Sequence, residues 1–299
     1  MLRYGCYFLF STSAFNFENI NITKDLKIIE GGAFYGCTSL KSIKLKETEF
    51  VGSEAFSGCT LLEKADLSSI GYDLSSGIFS NCTSLKEVKL PSYLEYIGSS
   101  AFSNCTSLEK IVLPKKLLRI GSDAFAGCTA LTDIEWNDKL TDIDGSAFYY
   151  CTAIEDIALP STVKRIGSFA FANCESLRKI TLSSVESIGE NTFSDCAYLR
   201  TVELGEKMTK IPDNSFRGCT SIVTVRLPEG INHIGENAFS NCTSLKNVNL
   251  SRYLLAVGNR AFYGCESIQR VDYPGTPEGF ATIAFGYGNE YLINAYNGN

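Results

Sequence analysis

The stretch Ile97-Gly98-Ser99-Ser100-Ala101-Phe102-Ser103-Asn104-Cys105, continued by Leu108, Ile111, Leu113 and Pro114, is one turn of a pattern that fills the chain. Its cysteine is one of eleven on a near-constant interval: Cys37, Cys59, Cys82, Cys105, Cys128, Cys151, Cys174, Cys196, Cys219, Cys242 and Cys265, always 22 or 23 residues apart. A phenylalanine stands three residues before every one of them, from Phe34 to Phe262. A fixed period in the twenties is the mark of a solenoid, because one such unit cannot bury its own apolar face and must stack on its neighbours. Cys6 stands outside the series.

Each cysteine is followed by L-x-x-I-x-L, as in Leu85, Val88 and Leu90 or Leu245, Val248 and Leu250. The I-x-L part has period 2 and predicts a short strand with alternate side chains turned inward. Pro91 or Pro114 ends it, having no N–H for a ladder. A second apolar pair follows, such as Leu94 and Ile97 or Leu117 and Ile120, then a glycine-containing turn and the Ala-Phe pair. The residue before the cysteine is Gly, Asn or Asp in every repeat but one. These types tolerate φ > 0, so the segment is predicted to be a tight helical turn closed by a left-handed residue that drops the cysteine into the core. Tyr150 is the exception and predicts strain or a rearranged turn there. Strands stacked about 4.8 Å apart would make the eleven coils roughly 50 Å long.

The frame runs past the counted cysteines. Ala14, Phe17, Ile20 and Ile22 form a decayed repeat. At the other end Phe280, Ala284 and Phe285 occupy the I, A and F places, with Gly288 where Cys and Tyr291 where Leu would stand. The expectation is a single domain, residues 1–299: an N-terminal cap and decayed repeat over 1–28, eleven regular repeats over 29–273, and a C-terminal cap over 274–299. No linker or low-complexity run interrupts it.

Composition narrows the function classes. With 44% hydrophobic residues and a net charge of −6, the chain of 299 residues is not of the disordered class. Its 27 basic residues against 33 acidic ones argue against nucleic acid as a partner. A single His and two Met disfavour His-dependent catalysis and His-ligated metal. No run approaches transmembrane length, so no membrane insertion is expected.

The fuller frame I-G-x-x-A-F-x-x-C-x-x-L-x-x-I-x-L-P resembles the BspA-like, or Treponema-type, leucine-rich repeat family over about residues 14–285. The family's structural positions fall on Phe102, Cys105, Leu108, Ile111 and Leu113 and their equivalents. Departures are mild: Trp136 in a Leu place, Thr192 and Ser215 in Ala places, Pro212 in a Gly place. The resemblance implies a leucine-rich repeat solenoid, a right-handed and β-rich β/α superhelix. It would have a concave parallel sheet with one short strand per coil, and short turns, 3-10 segments or short strands on the convex side. It also implies surface or secreted proteins of bacteria and some protozoan parasites, associated with adhesion and with binding host proteins. It carries no active-site motif.

Twelve cysteines raise the question of disulfides or zinc. There is no C-x2-C pair, and residues one period apart sit in register with parallel side-chain vectors, which opposes the χ3 near 90° of a disulfide. A buried column of reduced thiols acting as small hydrophobes is the expectation, with Cys6 the exposed one. Cys128→Ser would then bury a hydroxyl with no assured partner. His233 reads as a surface histidine, and no G-x-S-x-G elbow or phosphate loop occurs. The sequons at Asn81, Asn104 and Asn241 are the repeat's own N-C-T turn; Asn21 and Asn249 complete the set.

The outward strand positions are the surface a partner could read. Their charges largely alternate from coil to coil, which predicts a self-paired face. The alternation breaks at Asp133, Glu135 and Asp156, beside Val112, Ala158 and Thr181. Those six residues are the candidate protein-binding patch. Paired carboxylates on an open sheet lack the enclosure that tunes acid/base groups, so no catalytic, metal or cofactor role is assigned. The expected function is non-catalytic protein–protein interaction, adhesin-like, with a structural spacer or surface coat as the alternative. The family points to the cell surface or secretion; free thiols point to a cytoplasmic alternative. Met1–Phe10 is short for a signal segment and is expected to cap the first coil.

Overall fold

A computed structural model describes residues 3–4, 19–21, 27–45 and 47–297 of the chain. Cys6, Ala14, Phe17 and Ile22 lie outside the described residues. The chain divides into two compact units, residues 1–153 and 154–299. Each is a stack of coils in which equivalent residues of neighbouring repeats lie side by side.

A regular coil carries a three-residue strand at the L-x-x-I-x-L block and a two-residue strand at the second apolar pair, both paired in parallel with the next coil. In the first unit Ser42–Lys44, Lys64–Asp66 and Glu87–Lys89 pair in order, as do Lys110–Val112 and Asp133–Glu135. The register places Ile43 opposite Ala65 and Ile111 opposite Ile134. In the second unit Asp156–Ile157, Lys179–Thr181 and Thr201–Glu203 form one run, and Thr224–Arg226, Asn247–Asn249 and Arg270–Asp272 another. The second ladder joins Tyr96–Ile97 to Arg119–Ile120 and Asp142–Ile143, and Lys210–Ile211 to His233–Ile234 and Ala256–Val257. At the N-terminal side Ile20 stands opposite Ile43, as the decayed repeat predicts, and Arg3–Tyr4 pairs with Ile28–Ile29.

The segment around Ala-Phe differs from the expected helical turn. It is a chain of β-turns: Ala101 N–H donates to Gly98 O (3.2 Å), Ser103 N–H to Ser100 O (3.1 Å) and Cys105 N–H to Phe102 O (3.0 Å). Two residues of each coil are left-handed, where one was expected. Asn104 (φ 58°) lies just before the cysteine and Ser100 (φ 56°) four residues earlier. Positive φ at the third position is what a type II turn requires. The physical reason for turns over helix lies in the freed donors. The N–H groups of Ser100, Phe102 and Asn104 donate to Ser122, Ala124 and Ala126 O of the next coil at 2.7–2.8 Å. A helix would have consumed those groups internally, leaving nothing to join the coils. Tyr150 holds φ 60° in spite of its side chain, and Phe169 holds φ 59°. The turn is kept there and the strain tolerated.

The interior is columnar. Phe34, Phe56, Phe79, Phe102, Phe125 and Phe148 stack in the first unit with centroids 5.2–5.7 Å apart. Phe171, Phe193, Phe216, Phe239 and Phe262 do the same in the second at 5.2–5.6 Å. The eleven repeat cysteines are all free, and ten are buried; Cys37, expected to be buried, is only half-buried at the head of the column. Their thiols do more than fill space. Cys82, Cys105, Cys128 and Cys151 each donate to the carbonyl of the phenylalanine one coil earlier, Phe56, Phe79, Phe102 and Phe125, at 3.1–3.2 Å. Cys196, Cys219, Cys242 and Cys265 repeat the contact at 3.0–3.2 Å. Departures from the repeat are satisfied locally: buried Ser215, in an Ala place, donates to Pro212 O (2.7 Å), and Thr192 to Gly189 O (2.7 Å).

The C-terminal frame corrects the sequence reading. Ala284–Phe285 pairs with Ala256–Val257, so Phe285 takes the place of Val257, 28 residues on instead of 22 or 23. The extra residues form the helix Pro277–Ala281, capped by the Thr276 side chain. Arg260 N–H then donates to Tyr287 O, and Gly288 (φ 78°) takes the left-handed place five residues before an expected cysteine. Asn289 is 1% exposed and closes the stack. Its Oδ1 accepts from Phe262 N–H, and its Nδ2 donates to Gly258 and Gly286 O.

These contacts set three expected outcomes. Tyr150→Asn and Phe169→Asn should each stabilise by about 1 kcal/mol, because Asn tolerates the left-handed region and both side chains are solvent-exposed. Phe125→Ala should cost about 3–5 kcal/mol as a core cavity. Urea unfolding midpoints check both, and an unmoved midpoint for Phe125→Ala would show that the column does not hold the fold. Cys128→Ser has a partner after all in Phe102 O, but the shorter side chain reaches it poorly, so a loss of about 1–2 kcal/mol is expected.

The thiols also set a pH dependence. Burial pushes the Cys128 thiol up to about 12 and Cys105 and Cys196 well above the ordinary value. An acid with a raised folded pKa contributes stability that is whole below the unfolded value, about 8.5, and lost as pH rises toward the folded one. Urea midpoints should therefore fall steadily above about pH 9. Cys128→Ala should flatten that slope by about one proton, or about 1.4 kcal/mol per pH unit. An unchanged slope would contradict the buried, protonated column.

Candidate functional site

The three-residue strands point their middle residue inward and their flanking residues to solvent. The outward side chains are largely matched in charge within each unit. In the first, Lys64 bonds Glu87 (2.8 Å), and Asp66 lies between Lys44 (3.9 Å) and Lys89 (4.0 Å). In the second, Lys179 bonds Glu203 (3.0 Å) and Arg270 bonds Asp272 (2.7 Å). Lys179 and the Thr181 hydroxyl hold the Glu203 carboxyl below its usual range. Each exposed pair contributes little to stability.

The six candidate residues fall in both units. Val112, Asp133 and Glu135 belong to the first, on paired strands with Val112 opposite Glu135. Lys110 contacts both carboxylates, Asp133 at 2.9 Å and Glu135, and its own ammonium is raised by Glu135 first and Asp133 second. Val112 is 50% exposed. Asp156, Ala158 and Thr181 belong to the second unit. Asp156 stands opposite Lys179, Ala158 is exposed just past its strand, and Thr181 donates to Glu203 (3.2 Å). The cross-strand lysines thus temper the acidity that the sequence shows at these positions.

The sequence gives no sign of two clefts on the strand face. Within the first unit the strand ladder lapses between Glu87–Lys89 and Lys110–Val112. A depression of about 520 Å³ there is lined by Lys64, Lys86, Lys89, Lys110, Val88 and Val112 among others. Within the second unit it lapses between Thr201–Glu203 and Thr224–Arg226, beside a cleft of about 650 Å³. Val88 and Val202, in the inward Ile place, are half-buried instead of buried, because the next strand no longer covers them.

Among the described residues no cluster of three or more His, Cys, Asp or Glu could hold a metal. His233 is exposed, with Nδ1 2.7 Å from Asn232 Oδ1. Asn81, Asn104 and Asn241 are exposed, and Asn104 Nδ2 donates to Asn81 Oδ1 (3.0 Å). Among the described residues no helix is long and apolar enough to cross a membrane.

Comparison with known proteins places this geometry. The BspA type leucine rich repeat region matches in six copies, over residues 7–130, 96–221 and 182–291. A leucine-rich cell surface protein of Faecalibacterium prausnitzii is 26% identical, with a TM-score of 0.57 over 86% of this chain and 79% of that one. A leucine-rich repeat protein of Bacteroides ovatus is similar at 24% identity and a TM-score of 0.52, over 86% and 83% of the two chains. The pneumococcal vaccine antigen PcpA shares the fold at 21% identity and a TM-score of 0.62, over 93% and 76%. A search of the curated proteins finds no match. The repeat frame, the stacked parallel strands and these matches agree: the chain belongs to the BspA-type leucine-rich repeat family.

Proposed function

We propose that the chain is a non-catalytic scaffold that binds other proteins through its strand face, in an adhesin-like role at the cell surface or after secretion. The observation that carries this reading is the face itself. The coils commit their inward positions to apolar side chains for stacking, chiefly Phe, Cys, Leu, Ile, Val and Ala, while the outward positions vary over an open surface. Extended repeat surfaces of this kind suit protein recognition. The likeness to a bacterial cell surface protein supports the location. The ion-paired state of much of the face favours a second reading, a spacer or coat that presents a neutralised surface to solvent.

Val112, Asp133 and Glu135 in the first unit, and Asp156, Ala158 and Thr181 in the second, remain the proposed contact residues for a cationic, partly apolar partner. A pull-down against host matrix proteins separates the two readings, since a spacer recovers none. With a recovered cationic partner, Lys110→Ala should speed association several-fold by freeing Asp133 and Glu135, and reversing both carboxylates to Lys should slow it and weaken its salt dependence. Glu95→Lys, at an exposed carboxylate of the first unit outside the six residues and both clefts, serves as the control. Equal effects at both places would mean diffuse attraction and would remove these residues as a site.

A further inference from the structure

The cleft in the second unit is more than a gap between strands. Thr201–Glu203 pairs with Lys179–Thr181 on one side, and Thr224–Arg226 pairs with Asn247–Asn249 on the other. Among the described residues no backbone hydrogen bond joins the two central strands to each other. Elsewhere the repeat makes those bonds regularly: Leu182 N–H donates to Glu203 O (2.7 Å), and Asn247 N–H to Val223 O (3.2 Å). At the lapse the equivalent donors, Leu204 and Thr224 N–H, have no such partner, and neither does the acceptor Arg200 O. The cleft therefore presents backbone donors and acceptors together, above an apolar floor that includes Val202, Leu204 and Leu227.

Its charged lining is unusual for this face. Lys179 and Arg270 are matched to carboxylates, but among the described residues Arg200 and Arg226 make no ion pair, and both are exposed. Both line the cleft, with Thr201 and Thr224 beside them. The same lining holds Glu203, already neutralised by Lys179, and Glu206. An arginine fork matches a carboxylate in shape as well as charge.

We propose that this cleft, lined by Arg200 and Arg226, docks an extended acidic peptide segment of a partner protein, with an Asp or Glu carboxylate seated against the arginines and aliphatic neighbours on the apolar floor. The proposal rests on the scaffold reading and names a partner chemistry for it. A peptide uses every feature of the cleft: the carboxylate answers the arginines, its amides answer the unmade ladder groups, and aliphatic side chains cover Val202. A densely sulfated glycan offers neither peptide amides to answer the unmade ladder groups nor aliphatic side chains to cover the apolar floor. The volume of about 650 Å³ lies in the range of ligand clefts.

Panning a phage-displayed dodecapeptide library on the full chain tests the proposal. Selected peptides should carry a carboxylate flanked by aliphatic residues. In fluorescence anisotropy their Kd should rise at least ten-fold with Arg200→Glu or Arg226→Glu and stay within two-fold with Arg217→Glu, an exposed arginine outside the cleft lining. Circular dichroism and unfolding midpoints verify that the variants remain folded. Selection of peptides without carboxylates, or binding indifferent to Arg200 and Arg226, overturns the cleft while leaving the scaffold reading intact. Binding of a heparin oligosaccharide that depends on these arginines, with acidic peptides failing to compete, overturns it in favour of a glycan. A matrix pull-down that recovers nothing while peptides still bind in the cleft counts against the adhesin-like role alone.

Discussion

The carbonyl oxygen of each repeat phenylalanine is the point on which the stack depends. Phe102 O accepts the N–H of Cys105 in its own coil (3.0 Å) and the thiol of Cys128 in the next (3.2 Å). The first bond closes the turn and the second fixes the distance to the neighbour. Only a small side chain with a donor at its tip can occupy that place between two phenylalanine layers. Alanine and valine lack the donor, and serine falls short. One net hydrogen bond is worth about 1 kcal/mol, and a weak thiol donor less. Repeated at Cys59, Cys82, Cys105, Cys128 and Cys151 and again from Cys196 to Cys265, the contact becomes a constraint on the sequence. It fits the spacing of 22 or 23 residues that the eleven repeat cysteines keep.

The same constraint separates interior from surface. Inward positions are committed to stacking, and so are the two left-handed turn residues, whose own N–H groups donate to the next coil, as at Ser100 and Asn104. What remains free is the outward strand face, where charge pairs such as Lys64–Glu87 and Lys179–Glu203 keep neighbouring coils compatible. Under the proposed scaffold reading, recognition falls where that self-pairing fails. It fails around Arg200 and Arg226, where the ladder itself lapses and the inward-facing Val202 becomes half-buried. A fold stabilised by repetition gains specificity where one repeat departs from the next.

Burial also changes what the thiols say about compartment. Free cysteines ordinarily favour a reducing environment, because an accessible thiolate is oxidised. Here ten thiols are buried; burial raises Cys105, Cys128 and Cys196 above the ordinary thiol range, and each of these three donates to a carbonyl of the neighbouring coil. A thiol that neither ionises nor meets an oxidant is inert inside or outside the cell. Cysteine content is thus compatible with the surface setting of the family's leucine-rich cell surface protein from Faecalibacterium prausnitzii.

The sequence by itself determined the period, the family, the strand positions, the phenylalanine and cysteine columns and the left-handed residue before every repeat cysteine except Cys151, where Tyr150 was read as an exception. All of these follow from residue types recurring at a fixed spacing, and repetition makes a local signal unmistakable. The tertiary structure decided what depends on contact between coils. It showed the Cys128 thiol to be a donor and not only a small hydrophobe, because its acceptor is a carbonyl 26 residues away. It showed a second left-handed residue per coil at positions as varied as Glu54, Ser100 and Arg260, where composition is silent and the next coil's acceptors set the backbone. Gly121, read as a turn former, is there because a Cβ would lie 2.8 Å from Ile97 O of the preceding coil. The final coil moved five places because the helix Pro277–Ala281 absorbs residues that a fixed period cannot foresee. The candidate acidic residues were legible as a break in charge alternation, but Lys110 contacting both Asp133 and Glu135 was not, nor was the lapse beside Arg226. Both depend on how neighbouring strands are spaced, and the spacing between coils is a property of the stack, which no single repeat encodes.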